Sequence, residues 1–356
     1  MYSARLAKVR EALAARELDG ILVCDPTSIF YLTGAHIHPM ERMWLLFIGA
    51  DGAVKLFANR LFVFPETGLP TLWHSDTDDA PALLCEALRG VKRLGVDRAL
   101  TAKYLLPLLA AEQGRTLSIA SSCVDDLRIV KDEQELALLR KSSVINDSVL
   151  AAAQNQLREG MTEKELAAII SAGYEAAGCD GQSFGTIVAF GANAADPHHM
   201  TDNTVLRRGD AVLIDMGAKW KGYCSDMTRT CFFGEVNEKQ REVYEIVREA
   251  FEKAKATVRA GVRFCDIDAA ARDHITAAGY GEYFTHRLGH CIGLEDHEPQ
   301  DVSLVNTNCV APGMVFSIEP GIYLPGEFGV RIEDLVIVTE EGYECLNALP
   351  TVLAVK

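Results

Sequence analysis

Gly209-Asp210-Ala211-Val212-Leu213-Ile214-Asp215-Met216-Gly217, continuing to Ser225-Asp226-Met227-Thr228, is the stretch that decides the fold. A second run, Gly313-Met314-Val315-Phe316-Ser317-Ile318-Glu319-Pro320-Gly321, continues to Arg331-Ile332-Glu333-Asp334. Gly209 to Asp215 is six residues (215 minus 209), and Gly313 to Glu319 is six again (319 minus 313). Each run brings an acid to the end of an apolar strand and another after a short hairpin. The flanks Val212-Leu213-Ile214 and Phe316-Ser317-Ile318 are too apolar for solvated surface strands. Four acids buried together are prohibitive unless cations neutralise them. Two divalent ions would set four positive charges against four negative ones, so the pattern predicts a two-metal enzyme.

The repeat extends upstream. Arg158-Glu159-Gly160 precedes a predicted helix ending at Ala176-Ala177-Gly178, and Arg259-Ala260-Gly261 precedes one ending at Ala277-Ala278-Gly279. The halves are offset by 101 residues at these glycines (261 minus 160) and by 104 at the strands (313 minus 209). Two agreeing offsets argue for a duplicated α+β unit, with helices outside, sheets inside and the acids meeting on a pseudo-twofold axis. Capping boxes are expected at Thr162 with Glu165 and at Asn237 with Gln240.

Residues 1 to 128 read as a separate, smaller mixed α/β unit. Leu6, Val9 and Leu13 form a helical stripe, Ile21 to Cys24 reads as a buried strand, and Asp51-Gly52 joins two strands as a hairpin. Asp132 and Glu135 form a capping box that opens a long helix, so the boundary is expected between Cys123 and Lys131, with residues 129–356 as the catalytic unit.

Composition narrows the function. The chain has 356 residues, 35 basic against 50 acidic, and a net charge of −15. That balance disfavours nucleic acid or an anionic membrane as partner. No stretch reaches the length of a membrane span, and Met1 to Arg10 lacks the apolar core of a secretion signal. Ten cysteines without a Cys-x-x-Cys pair fit reduced thiols and a cytoplasmic location.

His286, His290 and His297 fall within twelve residues, interleaved with glycines. Beside four convergent acids, one of them is expected as a metal ligand. His198, in Ala195-Asp196-Pro197-His198-His199, lies in the corresponding region of the first half.

These motifs together resemble the "pita-bread" metallopeptidases, the group that includes methionine aminopeptidase, aminopeptidase P and prolidase. The matching residues are Asp215-x-Gly217, Tyr223-x-Ser225-Asp226-x-Thr228-Arg229-Thr230, Gly289-His290-x-Ile292-Gly293-Leu294-x-x-His297-Glu298, Glu319-Pro320-Gly321-x-Tyr323 and Arg331-x-Glu333-Asp334. Tyr31-Leu32-Thr33-Gly34 resembles the extra N-terminal domain of prolidases and aminopeptidase P. The resemblance covers nearly the whole chain. It implies that Asp215 binds one metal, that His290 and Glu319 bind the other, and that Asp226 and Glu333 bridge both. It further implies a hydroxide nucleophile between the metals, with Glu319 shuttling the proton. His198 and His297 would contact substrate and steady the oxyanion, and Arg331 would fork a substrate carboxylate. Mn²⁺ or Co²⁺ suits the oxygen-rich ligands, Fe²⁺ and Zn²⁺ also being compatible. A homodimer acting on small peptides is implied as well, with the His36 to Arg42 loop near a partner's site.

Three residues depart from the family pattern. Cys291 replaces a glycine after the metal histidine, which would narrow the cleft or offer a soft ligand. Asp196 and His199 would add polarity beside the substrate pocket. The resulting expectation is a prolidase cleaving Xaa-Pro dipeptides. Its alternatives are an aminopeptidase P acting on longer Xaa-Pro peptides, a hydrolase of a non-peptide amide, and a metal-free binding module.

Overall fold

The computed structural model of the protein describes residues 2–111 and 114–356. The chain divides into two compact units, Met1–Leu127 and Arg128–Lys356, and the division falls within a short helix, Ser122–Ile129.

The first unit is a six-stranded mixed sheet with helices. Its strands are β1 (Gly20–Val23), β2 (Leu45–Gly49), β3 (Val54–Asn59), β4 (Thr71–His74), β5 (Arg93–Val96) and β6 (Thr116–Ile119), in the order β4-β3-β2-β1-β5-β6. The hairpin at Asp51-Gly52 joins β2 to β3, with Leu45 opposite Phe57 and Ile48 opposite Val54. Gly52 takes φ +99°, and Asp51 Oδ1 accepts the Ala53 N–H at 2.9 Å. Helix α1 (Tyr2–Ala15) buries Leu6, Val9 and Leu13, the three residues of the predicted stripe. Leu22, Phe47, Phe57, Leu84, Leu94 and Leu108 form the core of this unit.

The second unit opens on α2 (Glu133–Gln154), capped by the predicted Asp132–Glu135 box, and α3 (Glu163–Ala176), capped by Thr162 and Glu165. Helices α4 (Glu238–Thr257) and α5 (Phe264–Ala277) serve the second half. Strand β7 (Ile187–Phe190) pairs antiparallel with β8 (Ala211–Met216), and β8 pairs with β9 (Met227–Phe232), Asp215 lying opposite Thr228. In the second half β10 (Gly289–Cys291) pairs with β11 (Glu298–Val302) and β12 (Val315–Ile318). Strands β13 (Gly321–Leu324) and β14 (Phe328–Arg331) form a hairpin, and β15 (Asp334–Val338) returns beside β12.

The duplication predicted from spacing is present in the backbone. Gly160 N–H donates to the Leu206 carbonyl and Gly261 N–H to the Val310 carbonyl. These partners are offset by 101 (261 minus 160) and 104 (310 minus 206), the offsets in the sequence. Gly160 and Gly261 share a left-handed conformation at φ +85° and +84°. The fold is the expected α+β pita-bread duplication, preceded by the smaller mixed α/β unit.

Period-2 alternation explains where the acids lie. Val212, Ile214 and Met216 pack into the core under α2 and α3, whereas Ala211 and Leu213 pack into the core under α4 and α5. Asp215 shares the second face, as Thr228 does on β9. Apolar packing on both sides leaves β8 little freedom, each buried Leu or Ile contributing roughly 1.5–3 kcal/mol.

At Gly217 an added Cβ would stand 2.0 Å from the Ser225 carbonyl oxygen. The hairpin joining Asp215 to Asp226 therefore closes only around glycine. Gly217→Ala is expected to destabilise the protein by about 2–4 kcal/mol. Urea unfolding with an unchanged m-value and a lowered midpoint would verify this.

Candidate metal centre

Asp215 ends β8 and Asp226 precedes β9, so one hairpin supplies the first two acids. Glu319 follows β12, and its N–H donates to the Leu288 carbonyl at 2.8 Å. Glu333 lies between β14 and β15, where its N–H donates to the Thr228 carbonyl at 3.1 Å. His290 is the middle residue of β10. Gly289, beside it, has no room for a Cβ, which would stand 2.0 Å from the Ser317 carbonyl oxygen. The eight residues singled out in the sequence, Asp215, Asp226, His290, Glu319, Glu333, His198, His297 and Arg331, line one cleft of about 370 Å³.

His290 is set up as a neutral ligand. Its Nδ1 lies 3.3 Å from the Cys291 carbonyl oxygen, which keeps the proton there. Its Nε2 is 3.5 Å from both Asp226 Oδ2 and Glu319 Oε1. Burial and the neighbouring His297, whose ring centroid is 3.9 Å away, push its pKa down to about 3. Asp226, His290 and Glu333 bring ligand atoms within 4.8 Å of one another. Asp215 Oδ1, Asp226 Oδ1 and Glu333 Oε1 are buried without a hydrogen-bond donor. Buried carboxylate oxygens without donors beside an imidazole lone pair are a donor set that fits divalent cations.

The remaining oxygens are held in place. Thr228 Oγ1 donates to Glu333 Oε2 at 2.7 Å and accepts from Arg331 Nε at 2.9 Å. Ser317 Oγ donates to Glu319 Oε1 at 3.1 Å. Arg229 donates to the Glu333 carbonyl at 2.6 Å and to Asp334 Oδ1 at 2.7 Å. Glu298 anchors the loop that carries His297. It meets Arg128 at 2.7 Å and Lys131 at 2.9 Å, and accepts the Leu294 N–H at 3.0 Å.

Several expectations change here. The fork of Arg331 is engaged inside the protein. Nη2 donates to Asp215 Oδ2 at 2.6 Å, and Nη1 to the Tyr323 hydroxyl at 2.9 Å and the Pro197 carbonyl at 3.3 Å. With Nε on Thr228, four of its five N–H groups are taken within the protein. Tyr323 Oη in turn lies 2.8 Å from His286 Nε2, and His286 Nδ1 lies 2.7 Å from the Arg287 carbonyl oxygen. Cys291 neither narrows the cleft nor offers a ligand. It is wholly buried in the apolar core, where burial pushes its thiol up to about 12. His199 turns away from the cleft, its Nε2 lying 2.7 Å from Glu163 Oε2. Glu163 also accepts the Phe190 and Asp202 N–H groups and the Asn193 amide, so it straps down the loop bearing His198. Asp196 is exposed and accepts the His198 N–H at 3.0 Å.

Two cleft residues escaped the sequence reading. Arg287 is a cation in the cleft with 38% of its side chain exposed. Asp296 brings a fifth acid to the same wall. Neither carries a signal in a single sequence, because an Arg after His286 and an Asp before His297 look like ordinary polar loop residues.

The profile of metallopeptidase family M24 matches residues 137–340, and that of the creatinase/prolidase N-terminal domain matches residues 5–130. An uncharacterized peptidase of Staphylococcus aureus is 37% identical over 96% of this chain and 98% of its own length. The crystal structure of a dipeptidase from Pyrococcus horikoshii OT3 superposes with a TM-score of 0.92 at 37% identity, covering 99% of this chain and 100% of that one. An Xaa-Pro dipeptidase from Bacillus anthracis superposes with a TM-score of 0.92 at 31% identity over 100% of both chains.

Burial, reinforced by neighbouring carboxylates, raises the acids of the metal-free site. Asp226 and Glu333 lie well above the usual carboxylate range, and Glu319 is pushed up to about 8. A raised acid binds more protons in the folded than in the unfolded chain, so stability falls as pH rises toward the folded value. His286 and His290, both pushed down to about 3, oppose this trend while the unfolded chain's histidines lose their protons around pH 6.5, and drop out roughly a unit above it. The metal-free protein should therefore melt at progressively lower temperature from about pH 7.5 to about pH 8.5, and saturating Mn²⁺ should flatten that slope. Thermal unfolding across this window, with chelator and with Mn²⁺, checks the expectation.

Proposed function

The chain belongs to metallopeptidase family M24, and from that premise we propose an exopeptidase of prolidase type, cleaving the bond before proline in Xaa-Pro dipeptides. The observation that carries this reading is the set of donorless buried carboxylate oxygens facing a neutral His290. The cleft of about 370 Å³ is at the small end of ligand sites, which suits a dipeptide. All ten cysteines are free thiols, in keeping with a cytoplasmic enzyme.

In this reading Asp215 would hold one divalent ion, His290 and Glu319 would hold the other, and Asp226 and Glu333 would serve both. Mn²⁺ or Co²⁺ suits that donor set. When bound, the two ions acidify a water and polarise the scissile carbonyl. Glu319 is placed to take a proton from the attacking water and return it to the leaving nitrogen. The Ser317 hydroxyl, on Glu319 Oε1, fixes which oxygen remains available. His198 and His297, both exposed at the cleft, are placed to hold the substrate and steady the developing oxyanion. Arg331 acts as a positioning residue, fixing Asp215 and, through Thr228, Glu333. The free carboxylate of a dipeptide then falls to Arg287, which lines the cleft, its guanidinium touching His297 Nδ1 at 3.2 Å and lying 3.8 Å from Asp301 Oδ2. His199 and Cys291 turn away from the cleft, which removes their share of the motive for a non-peptide amide substrate.

Matched Xaa-Pro, Xaa-Pro-Xaa and Xaa-Ala peptides, given to metal-stripped enzyme reloaded with Mn²⁺, test the substrate. Fastest cleavage of the Xaa-Pro dipeptide is expected; preference for the tripeptide would identify an aminopeptidase P instead. Glu319→Ala should lower kcat by about 10²–10⁴-fold. Retention within about tenfold, ~1.4 kcal/mol of barrier, would refute its role. Arg287→Ala should raise KM for Xaa-Pro while leaving an amidated Xaa-Pro unaffected.

A further inference from the structure

Asp296 has no place in the ligand set just described, yet it faces that set. It sits on the loop between β10 and β11 and lines the same cleft as Asp215 and Asp226. Its Oδ1 is buried and has no hydrogen-bond partner. Its Oδ2 lies 3.5 Å from His297 Nε2, and its carboxylate is within hydrogen-bonding reach of that of Asp226. Two carboxylates cannot sit this close unless a proton or a cation lies between them.

We propose that Asp296 is an additional carboxylate ligand of the metal centre, completing the cation position held by Asp215. This rests on the dinuclear reading above. In that reading the two positions are unequal. His290, Glu319, Asp226 and Glu333 serve one, whereas only Asp215, Asp226 and Glu333 serve the other. The acids beside Asp296 are Asp215 and Asp226, two of the three ligands of the poorer position. A fourth carboxylate there enlarges a set that is already all oxygen, the environment that favours Mn²⁺ or Mg²⁺ over Zn²⁺. Charge also closes. Five carboxylates against two divalent ions leave −1, and the Arg331 guanidinium on Asp215 Oδ2 offsets it. The loop is rigid enough for the task, because Glu298, two residues on, is fixed by the buried Arg128 and Lys131.

The test is Mn²⁺ titration of metal-free wild type and of Asp296→Asn, with affinity and stoichiometry read by calorimetry and by the spin-resonance signal of free Mn²⁺. Wild type is expected to bind two Mn²⁺ per chain. Asp296→Asn should keep one with unchanged affinity and bind the other about 10–100-fold more weakly. Metal-free thermal unfolding is the second readout. There Asp296→Asn should melt above wild type, because one buried like charge is removed. Two Mn²⁺ at wild-type affinity in the variant would overturn the assignment while leaving the dinuclear reading standing. A metal-free variant melting below wild type would overturn it too, marking Asp296 as structural. Fewer than two Mn²⁺ in wild type would overturn the dinuclear reading itself.

Discussion

Repulsion among Asp215, Asp226, Glu319 and Glu333 is the constraint that the rest of the catalytic unit answers to. Four acids facing one small cleft would drive their strands apart if those strands were free to move. They are not free, because each strand is clamped by apolar packing or by charged groups behind it. Val212 and Ile214 lie in one core and Leu213 in the other, so β8 is gripped from both sides. Arg229 holds the Glu333 backbone, and Arg331 ties Asp215 to the hydroxyls of Thr228 and Tyr323. The fold thus stores an unfavourable electrostatic arrangement that divalent cations relieve. The energy the apo protein gives up at this site returns as metal affinity.

Duplication explains how so many acids can converge with so little sequence. Each half contributes one acid at a strand end and one beyond a hairpin. The two halves close their helix–strand junctions with the same left-handed glycines and the same backbone hydrogen bond. His290 and its tightly packed neighbour Gly289 on β10 have no counterpart of this kind in β7. The symmetry is therefore broken where one cation position needs nitrogen and the other is served by oxygen alone.

The amino-acid sequence carries this architecture openly where periodicity and spacing are involved. The six-residue glycine-to-acid step, the 101- and 104-residue offsets and the capping boxes at Asp132, Thr162 and Asn237 are all local patterns, and each has a local structural cause. Side-chain direction is not local. Whether Arg331 faces substrate or protein depends on Asp215 and Tyr323, which lie 116 and 8 residues away along the chain. His199 reads as pocket polarity until Glu163, 36 residues earlier, claims it. Cys291 follows a register shift against β11, where Pro299 and Gln300 are the extra residues, and its side chain lies in the core; no spacing announces that shift. Asp296 looks like one more surface acid until the fold sets it against Asp226.

The central claim is that these carboxylates exist to hold cations, and anomalous diffraction from crystals grown with Mn²⁺ addresses it most directly. Data on either side of the manganese edge locate the ion without assumption about ligands. Two peaks are expected in the cleft, each bounded by Asp226 and Glu333, one beside Asp215 and Asp296 and the other beside His290 and Glu319. A cleft without Mn²⁺ in saturated crystals, or peaks confined to the Glu163, His199 and Asp202 cluster, would contradict it.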